Sequence, residues 1–194
     1  LVDDLSHSLW ALGIITGNNA KVLKTRPRKG LEPIYTGKDI SKYHLKKASR
    51  YVKYNRADFQ QCAKDEFYRA KEKLVYKFVS SHLCFTYDDK QRLFLNSANI
   101  LIPDVEGMSV KTVLAFLNST LFNFLYVKRF NDLKILKGNL STLPFPKITV
   151  EQDEKISALV DCALCGDKEA PNEIDSLIYS LYGFIPEELD LITQ

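Results

Sequence analysis

Hydrophobic and polar positions change period along the chain. In residues 73–79, Leu74, Tyr76 and Phe78 alternate with Val75, Lys77 and Val79, and this two-residue period predicts a strand. Residues 83–87 are apolar and aromatic, and Asp88-Asp89-Lys90 reads as a turn. Short strands follow at 92–95 and 99–102, before Pro103 stops the run. Together they predict a meander. Upstream, residues 42–45 and 50–54 read as short strands, because Tyr43, Tyr51 and Tyr54 favour a pleated surface. Turn signals dominate residues 8–40. Gly13, Gly17, Asn18 and Asn19 stand close together, Arg26-Pro27-Arg28-Lys29-Gly30 is a basic loop, and Pro33 keeps Glu32 extended.

A helical period governs the second half and appears once before it. Phe59, Cys62, Ala63, Phe67 and Ala70 share one face, predicting a helix over 59–71 with Asp58 as N-cap. The strongest stripe, Val110, Val113, Leu114, Leu117, Leu121, Phe124 and Leu125, predicts the longest helix over 110–130, capped by Ser109. Leu143-Pro144-Phe145-Pro146 reads as extended. Thr149 and Gln152 have capping-box spacing for a helix reaching about residue 164. Residues 173–182 form another helix closed by Gly183, and Pro186 can start a last turn. The expected fold is mixed α/β (α+β), a β-rich half with a meander followed by a helical half. The chain divides into units 1–147 and 148–194, without internal repeats.

Charge adds a partner to this picture. The 194 residues hold 27 Lys and Arg against 24 Asp and Glu, a net charge of only +3. Residues 18–92, however, hold 19 against 8, a net +11, while residues 1–17 carry −2 and residues 93–194 carry −6. A basic block beside an acidic remainder predicts one face for a polyanion. With 45% hydrophobic and 26% charged residues, the chain is globular rather than disordered. At this length it buries roughly 70% of its unfolded surface, so folding needs no disulfide or metal. Cys62, Cys84, Cys162 and Cys165 are too scattered for a disulfide scaffold and fit a reducing compartment. These residues show no signal-peptide pattern, and none is expected. The most apolar run, 113–127, contains Asn118, Ser119, Thr120 and Asn123 and is too short and polar to span a bilayer. A start at Leu1 rather than Met is expected of part of a longer polypeptide.

No catalytic or metal constellation emerges. His7, His44 and His82 lack metal-ligand spacing, and Cys162 and Cys165 form a lone C-x-x-C where a structural zinc wants four ligands. Cys62 and Cys84 read as small core residues. Gly13 and Gly17 do not make a dinucleotide loop, and no phosphate-binding Gly-Lys-Ser/Thr is present. A nuclease pattern built from Pro103-Asp104 and Asp153-Glu154-Lys155 is widely separated, with its second half in a surface helix. The stronger signal is the basic block itself, which runs from Lys21 through Arg56 and on through Lys64, Arg69, Lys71, Lys73 and Lys77, with Tyr35, Tyr43, Tyr51 and Tyr54 interleaved. Such side chains neutralise phosphates and reach base edges. The competing reading is a solvated basic surface.

The order of landmarks resembles the TaqI-like C-terminal specificity domain, which follows the catalytic domain in adenine-N6 DNA methyltransferases and fused type II restriction-modification enzymes. Gly13-Ile14-Ile15-Thr16-Gly17 is similar to its opening stretch, and Gly37-Lys38-Asp39-Ile40 with Tyr43 to its Gly-x-Asp-Ile-x-x-Tyr element. Lys73-Leu74, Tyr87-Asp88 and residues 96–102 resemble its central meander. Leu117-Asn118-Ser119, Leu136, Leu143-Pro144-Phe145-Pro146, Gln152 and Ile156 resemble a helical support similar to that of type I specificity subunits, and residues 174–183 the closing segment of the fused enzymes. The resemblance implies a module that reads double-stranded DNA for an N-terminal methyltransferase domain of the same polypeptide. S-adenosylmethionine would belong to that domain, leaving this chain no cofactor, catalytic residue or metal. The Asp/Asn-Pro-Pro-Tyr/Phe motif of such enzymes needs adjacent prolines, and there are none. The implied location is a bacterial or archaeal cytoplasm, away from membranes. Residues 13–30 would form a variable loop in which Lys21, Lys24, Arg26, Arg28 and Lys29 enter or flank a groove. Asn18, Asn19 and Tyr43 would contact bases, and Lys38, Lys42, Lys46, Lys47, Arg50 and Lys53 phosphates. Half of a type I specificity subunit is the near alternative, and a self-contained nuclease or a protein–protein adaptor the alternatives from other classes.

Overall fold

The computed structural model describes residues 2–130 and 132–193. Its strands are β1 (Val2–Asp3), β2 (Leu9–Leu12), β3 (Glu32–Tyr35), β4 (Ile40–Ser41), β5 (His44–Leu45), β6 (Tyr51–Val52), β7 (Lys73–Lys77), β8 (Phe85–Asp88), β9 (Leu93–Phe94), β10 (Ala98–Ile102) and β11 (Phe145–Pro146). The α-helices are α1 (Asn19–Val22), α2 (Asp65–Tyr68), α3 (Val110–Asn118), α4 (Thr120–Phe130), α5 (Lys137–Leu140), α6 (Val150–Leu164), α7 (Ala170–Tyr182) and α8 (Pro186–Thr193). The mixed α/β class expected from the hydrophobic periods is the one observed.

Alternation along β7 organises the layers. Leu74 and Tyr76 pack with Phe85, Leu101, Leu114 and Phe116 on one face, and Val75 packs with Ala98 and Ile100 on the other. Both faces of the four-stranded antiparallel sheet, ordered β2-β10-β7-β8, are therefore dry. Helices cover the first face. The second meets a smaller sheet ordered β6-β3-β9, in which β3 runs parallel to β9 and antiparallel to β6.

The predicted meander is only partly present. β7 and β8 form a hairpin, but β9 crosses to the other sheet, and β10 returns between β2 and β7. Two glycines make this crossing possible. A Cβ on Gly13 would lie 2.3 Å from the Leu95 carbonyl oxygen, and one on Gly37 2.4 Å from that of Ser97. Bare backbone lets both segments close on the β9–β10 turn, where Ile14 N–H donates to Phe94 O at 2.7 Å and Gly37 N–H to Ser97 Oγ at 3.0 Å.

Two predicted helices are also corrected. Residues 59–71 hold only the short α2, preceded by a 3-10 turn at Arg56–Asp58. Reciprocal backbone bonds between Ile15 and Gln61, at 2.9 and 3.0 Å, pull this stretch into extended pairing, a tertiary contact that overrides local propensity. The helix expected over 110–130 breaks at Ser119, where α3 and α4 meet at a 60° bend. Both ends at the break are held from afar. Lys42 Nζ donates to Asn118 O at 2.7 Å, and Asp175 accepts from Thr120 N at 2.9 Å and Thr120 Oγ1 at 2.5 Å. A cation at the C-terminus of α3 and a carboxylate at the N-terminus of α4 each match the local helix dipole. Among the described residues no single helix is long and apolar enough to cross a membrane.

The caps read from sequence are present. Ser109 accepts from Thr112 N, Thr149 and Gln152 form both halves of the capping box, and Gly183 closes α7 at φ 67°. Phe116, Phe122 and Phe145 form an aromatic cluster with ring centroids 4.9 to 5.7 Å apart. They share one core with Ile156, Val160, Ile174 and Ile178, so packing is continuous across residue 147.

Candidate nucleic-acid interface

The turn signals of residues 16–24 become a small capped structure. Asn18 Oδ1 accepts from Lys21 N at 3.1 Å to start α1, and Asn19 Oδ1 accepts from Thr16 Oγ1 at 2.6 Å. Lys24 then pairs with Tyr51, N–H to O at 2.8 Å in both directions, which extends the β6 edge. The Ile15–Gln61 pairing brings residues 55–61 alongside. Between these segments lies an open cleft of about 580 Å³, lined by Thr16, Gly17, Asn18, Lys21, Val22, Lys53, Ala57 and Asp58. The structure thus brings three predicted residues, Asn18, Lys21 and Lys53, to one place.

Arg26, Arg28 and Lys29 are exposed on the loop that follows Lys24. Lys46, Lys47 and Arg50 are exposed on the segment leading into β6. Lys38 is exposed on the turn Gly37–Asp39 and is not part of the cleft lining.

Ion pairing separates two kinds of basic residue. Among the described residues, none of the eleven cations predicted at DNA has a carboxylate within 4.0 Å. Farther along, Arg56 pairs with Asp65 at 2.6 Å, Arg69 with Glu32 at 2.7 Å, Lys73 with Asp88 at 2.5 Å and Arg92 with Asp88 at 2.8 Å. Residues 18–53 hold those eleven cations against two carboxylates, Glu32 and Asp39. Glu32 is engaged by Arg69, and Asp39 by the Thr36 backbone and hydroxyl. The +11 block therefore reduces to an unneutralised stretch from Lys21 to Lys53.

Several predicted contacts need correction. Tyr43 is 5% exposed and packs in the main core, so its ring has no access to a base. Its backbone is left-handed at φ 64°, and burial pushes its hydroxyl pKa far up. Lys42 is half-buried against α3. Burial lowers its pKa, with Asp175 opposing, and its bond to Asn118 O makes it a staple between halves rather than a phosphate ligand. Asn18 and Asn19 remain exposed, but their carbonyl oxygens are already engaged, which weakens the paired donor–acceptor grip an asparagine needs on adenine. Tyr35 is buried beside Phe94, ring centroids 5.6 Å apart. Tyr54 donates to Asp65 at 2.8 Å, and burial followed by that carboxylate pushes its pKa up to about 12.

Of the nuclease pattern, Asp153 caps α3, accepting from Ser109 N at 2.8 Å and Ser109 Oγ at 3.1 Å. Cys162 and Cys165 are exposed thiols on and just beyond α6, and among the described residues no group of three His, Cys, Asp or Glu is placed to hold a metal ion. Sequence reasoning missed Asp58 as a cleft residue because its position before an apolar stripe read as a helix cap.

The model of the TaqI-like C-terminal specificity domain matches residues 32–145, more than half of the chain. The chain is also similar in fold to three solved structures. The Type IIL restriction-modification enzyme MmeI in complex with DNA is 14% identical at TM-score 0.61, over 95% of this chain and 33% of that one. The HsdS subunit from Thermoanaerobacter tengcongensis is 12% identical at TM-score 0.56, over 95% and 45%. A chain from a type I restriction-modification assembly is 13% identical at TM-score 0.58, over 93% and 44%. This chain thus spans a third to under half of the length of those proteins. No curated protein matches it. With its family model covering the small sheet, the β7–β10 layer and α3 and α4, the chain belongs to the TaqI-like C-terminal specificity domains.

Proposed function

We propose that the chain is the sequence-reading DNA module of a restriction-modification system, laying duplex DNA against a methyltransferase domain that precedes it in the same polypeptide and acts at adenine N6. One observation carries this reading: Lys21 and Lys53 line one open cleft, and Lys24, Arg26, Arg28, Lys29, Lys46, Lys47 and Arg50, on the chain segments between them, are exposed with no carboxylate within 4.0 Å among the described residues. Like charges without ion-pair partners repel one another, and DNA phosphates relieve that repulsion while releasing counterions. Lys21, Lys24, Arg26, Arg28, Lys29 and Lys53 would meet the duplex at the cleft, and Lys46, Lys47 and Arg50 its flanking phosphates. Residues 1–147 would act as the reader and 148–194 as its support. Methyl transfer from S-adenosylmethionine would belong to the preceding domain, in the cytoplasm.

Fluorescence anisotropy with labelled duplex DNA tests the reading. With about six phosphates contacted, affinity falls roughly a thousandfold between about 50 and 200 mM salt. Binding indifferent to salt ends it. The fold likeness to HsdS favours a second reading, half of a type I specificity subunit. The parent gene decides between them: an Asn-Pro-Pro-Tyr motif upstream supports the first, and a second specificity module the other.

A further inference from the structure

One side chain in the cationic cleft has the wrong sign for a phosphate. Asp58 lines it together with Lys21 and Lys53 and is exposed. Among the described residues, its carboxylate has no cation within 4.0 Å. Its one side-chain hydrogen bond comes from Asn55 Nδ2 to Oδ2 at 3.2 Å, so Oδ1 has no protein partner among those residues. By contrast, Asp65 is engaged by Arg56 and Tyr54, and Glu32 by Arg69. With the Asn18 carbonyl committed to its cap, the cleft offers cationic and amide donors and a single free carboxylate oxygen.

An unpaired carboxylate here opposes phosphate binding. It is useful only to a partner that supplies a donor. We propose that Asp58 is a specificity-determining residue that accepts a hydrogen bond from the exocyclic amine of a cytosine in the major groove. The inference rests on the reading of the chain as a DNA module. An ionised carboxylate is acceptor-only. Guanine O6 and thymine O4 are acceptors and are rejected. Adenine presents its N6 amine beside the acceptor N7, which repels the carboxylate, whereas cytosine N4 has no acceptor beside it on its own base.

Binding-site selection from a randomised duplex library tests the proposal, using the 194-residue chain and the variants Asp58→Asn and Asn55→Ala. The wild type enriches a site with a cytosine at one position, preferred roughly 10-fold over the other bases. Asp58→Asn loses the preference there and keeps the rest of the site. Asn55→Ala, which removes the Asn55–Asp58 bond and keeps the carboxylate, retains the cytosine. An unchanged site in Asp58→Asn, or a uniform gain in affinity for every sequence, overturns the role of Asp58 and leaves the DNA reading standing. A wild-type chain that enriches no site overturns both. Circular dichroism of each variant confirms that the fold is present.

Discussion

Lys73 and Asp88 carry two full charges into a place with no exposed side-chain surface, 2.5 Å apart. Their remaining capacity is used. Lys73 Nζ also donates to Tyr68 O at 2.9 Å, and Asp88 also accepts from the Arg92 guanidinium at 2.8 Å and the Arg92 backbone at 2.9 Å. Burial alone would raise the Asp88 pKa, but Lys73 and Arg92 overcome it and hold it below the usual carboxylate range. A depressed folded pKa stabilises the fold above the unfolded value of about 3.9, and the contribution is lost as pH falls toward the folded pKa. Urea unfolding of the wild type should therefore weaken steeply below about pH 4. In Asp88→Asn that acid limb flattens, and stability near neutrality drops by about 3–5 kcal/mol, because Lys73 is left buried without its counter-charge. Lys42 and Lys53 make a contrasting pair. Lys42→Met should lower unfolding stability by about 1 kcal/mol by freeing the Asn118 carbonyl, with the salt slope of DNA binding unchanged. Lys53→Met should leave stability within about 0.5 kcal/mol and reduce that slope by about 1.

Elements in this protein end where distant residues end them. Ser119 terminates α3 with its hydroxyl on Phe116 O at 2.7 Å and starts α4 by accepting from Phe122 N at 3.1 Å, while Lys42 and Asp175 hold the two helix ends. Beside it, the Asn118 side chain continues the sheet, accepting from Phe85 N at 2.9 Å and donating to Phe85 O at 3.1 Å, so the β8 edge is covered by a helix residue. Asp175→Ala removes the α4 cap and should cost about 1 kcal/mol in chemical denaturation. Gly13→Ala forces a methyl against the carbonyls of Leu95 and Ala98, 2.3 and 2.5 Å from the new carbon, and should cost about 1–3 kcal/mol in the same measurement. Gly13 and Gly37, in the stretches that resembled a family signature, are thus sites of close backbone approach to the β9–β10 turn.

At the scale of the whole molecule, the sheet ordered β2-β10-β7-β8 joins two cores, one against the helices and one against the small sheet that carries the cationic segment. Ile156, Val160, Ile174 and Ile178 are at most 1% exposed against the first core. A chain ended at residue 147 uncovers that face, and it should lose cooperative thermal unfolding by circular dichroism and aggregate on size-exclusion chromatography. Some of this was legible without coordinates. The caps at Ser109 and Thr149, the alternation of β7, the αL glycine after α7 and the basic stretch depend on neighbours within a turn or a strand, or on composition, and a sequence carries both. What the linear order hides is partner choice across long separations. Lys42 meets Asn118 at 76 positions' distance, Arg69 meets Glu32 at 37, and Thr120 meets Asp175 at 55. Such contacts broke the 110–130 helix, moved Lys42 and Tyr43 out of the site, and neutralised Arg69, whereas Arg56 and Arg92 are neutralised by carboxylates nine and four positions away. The linear chain alone settled which residues carry charge and which local caps, at Ser109, Thr149 and Gly183, were available to bound a helix. Tertiary structure decided which charges stay unpaired and therefore free for a ligand, because neutralisation depends on distances of a few ångströms between segments that only packing brings together.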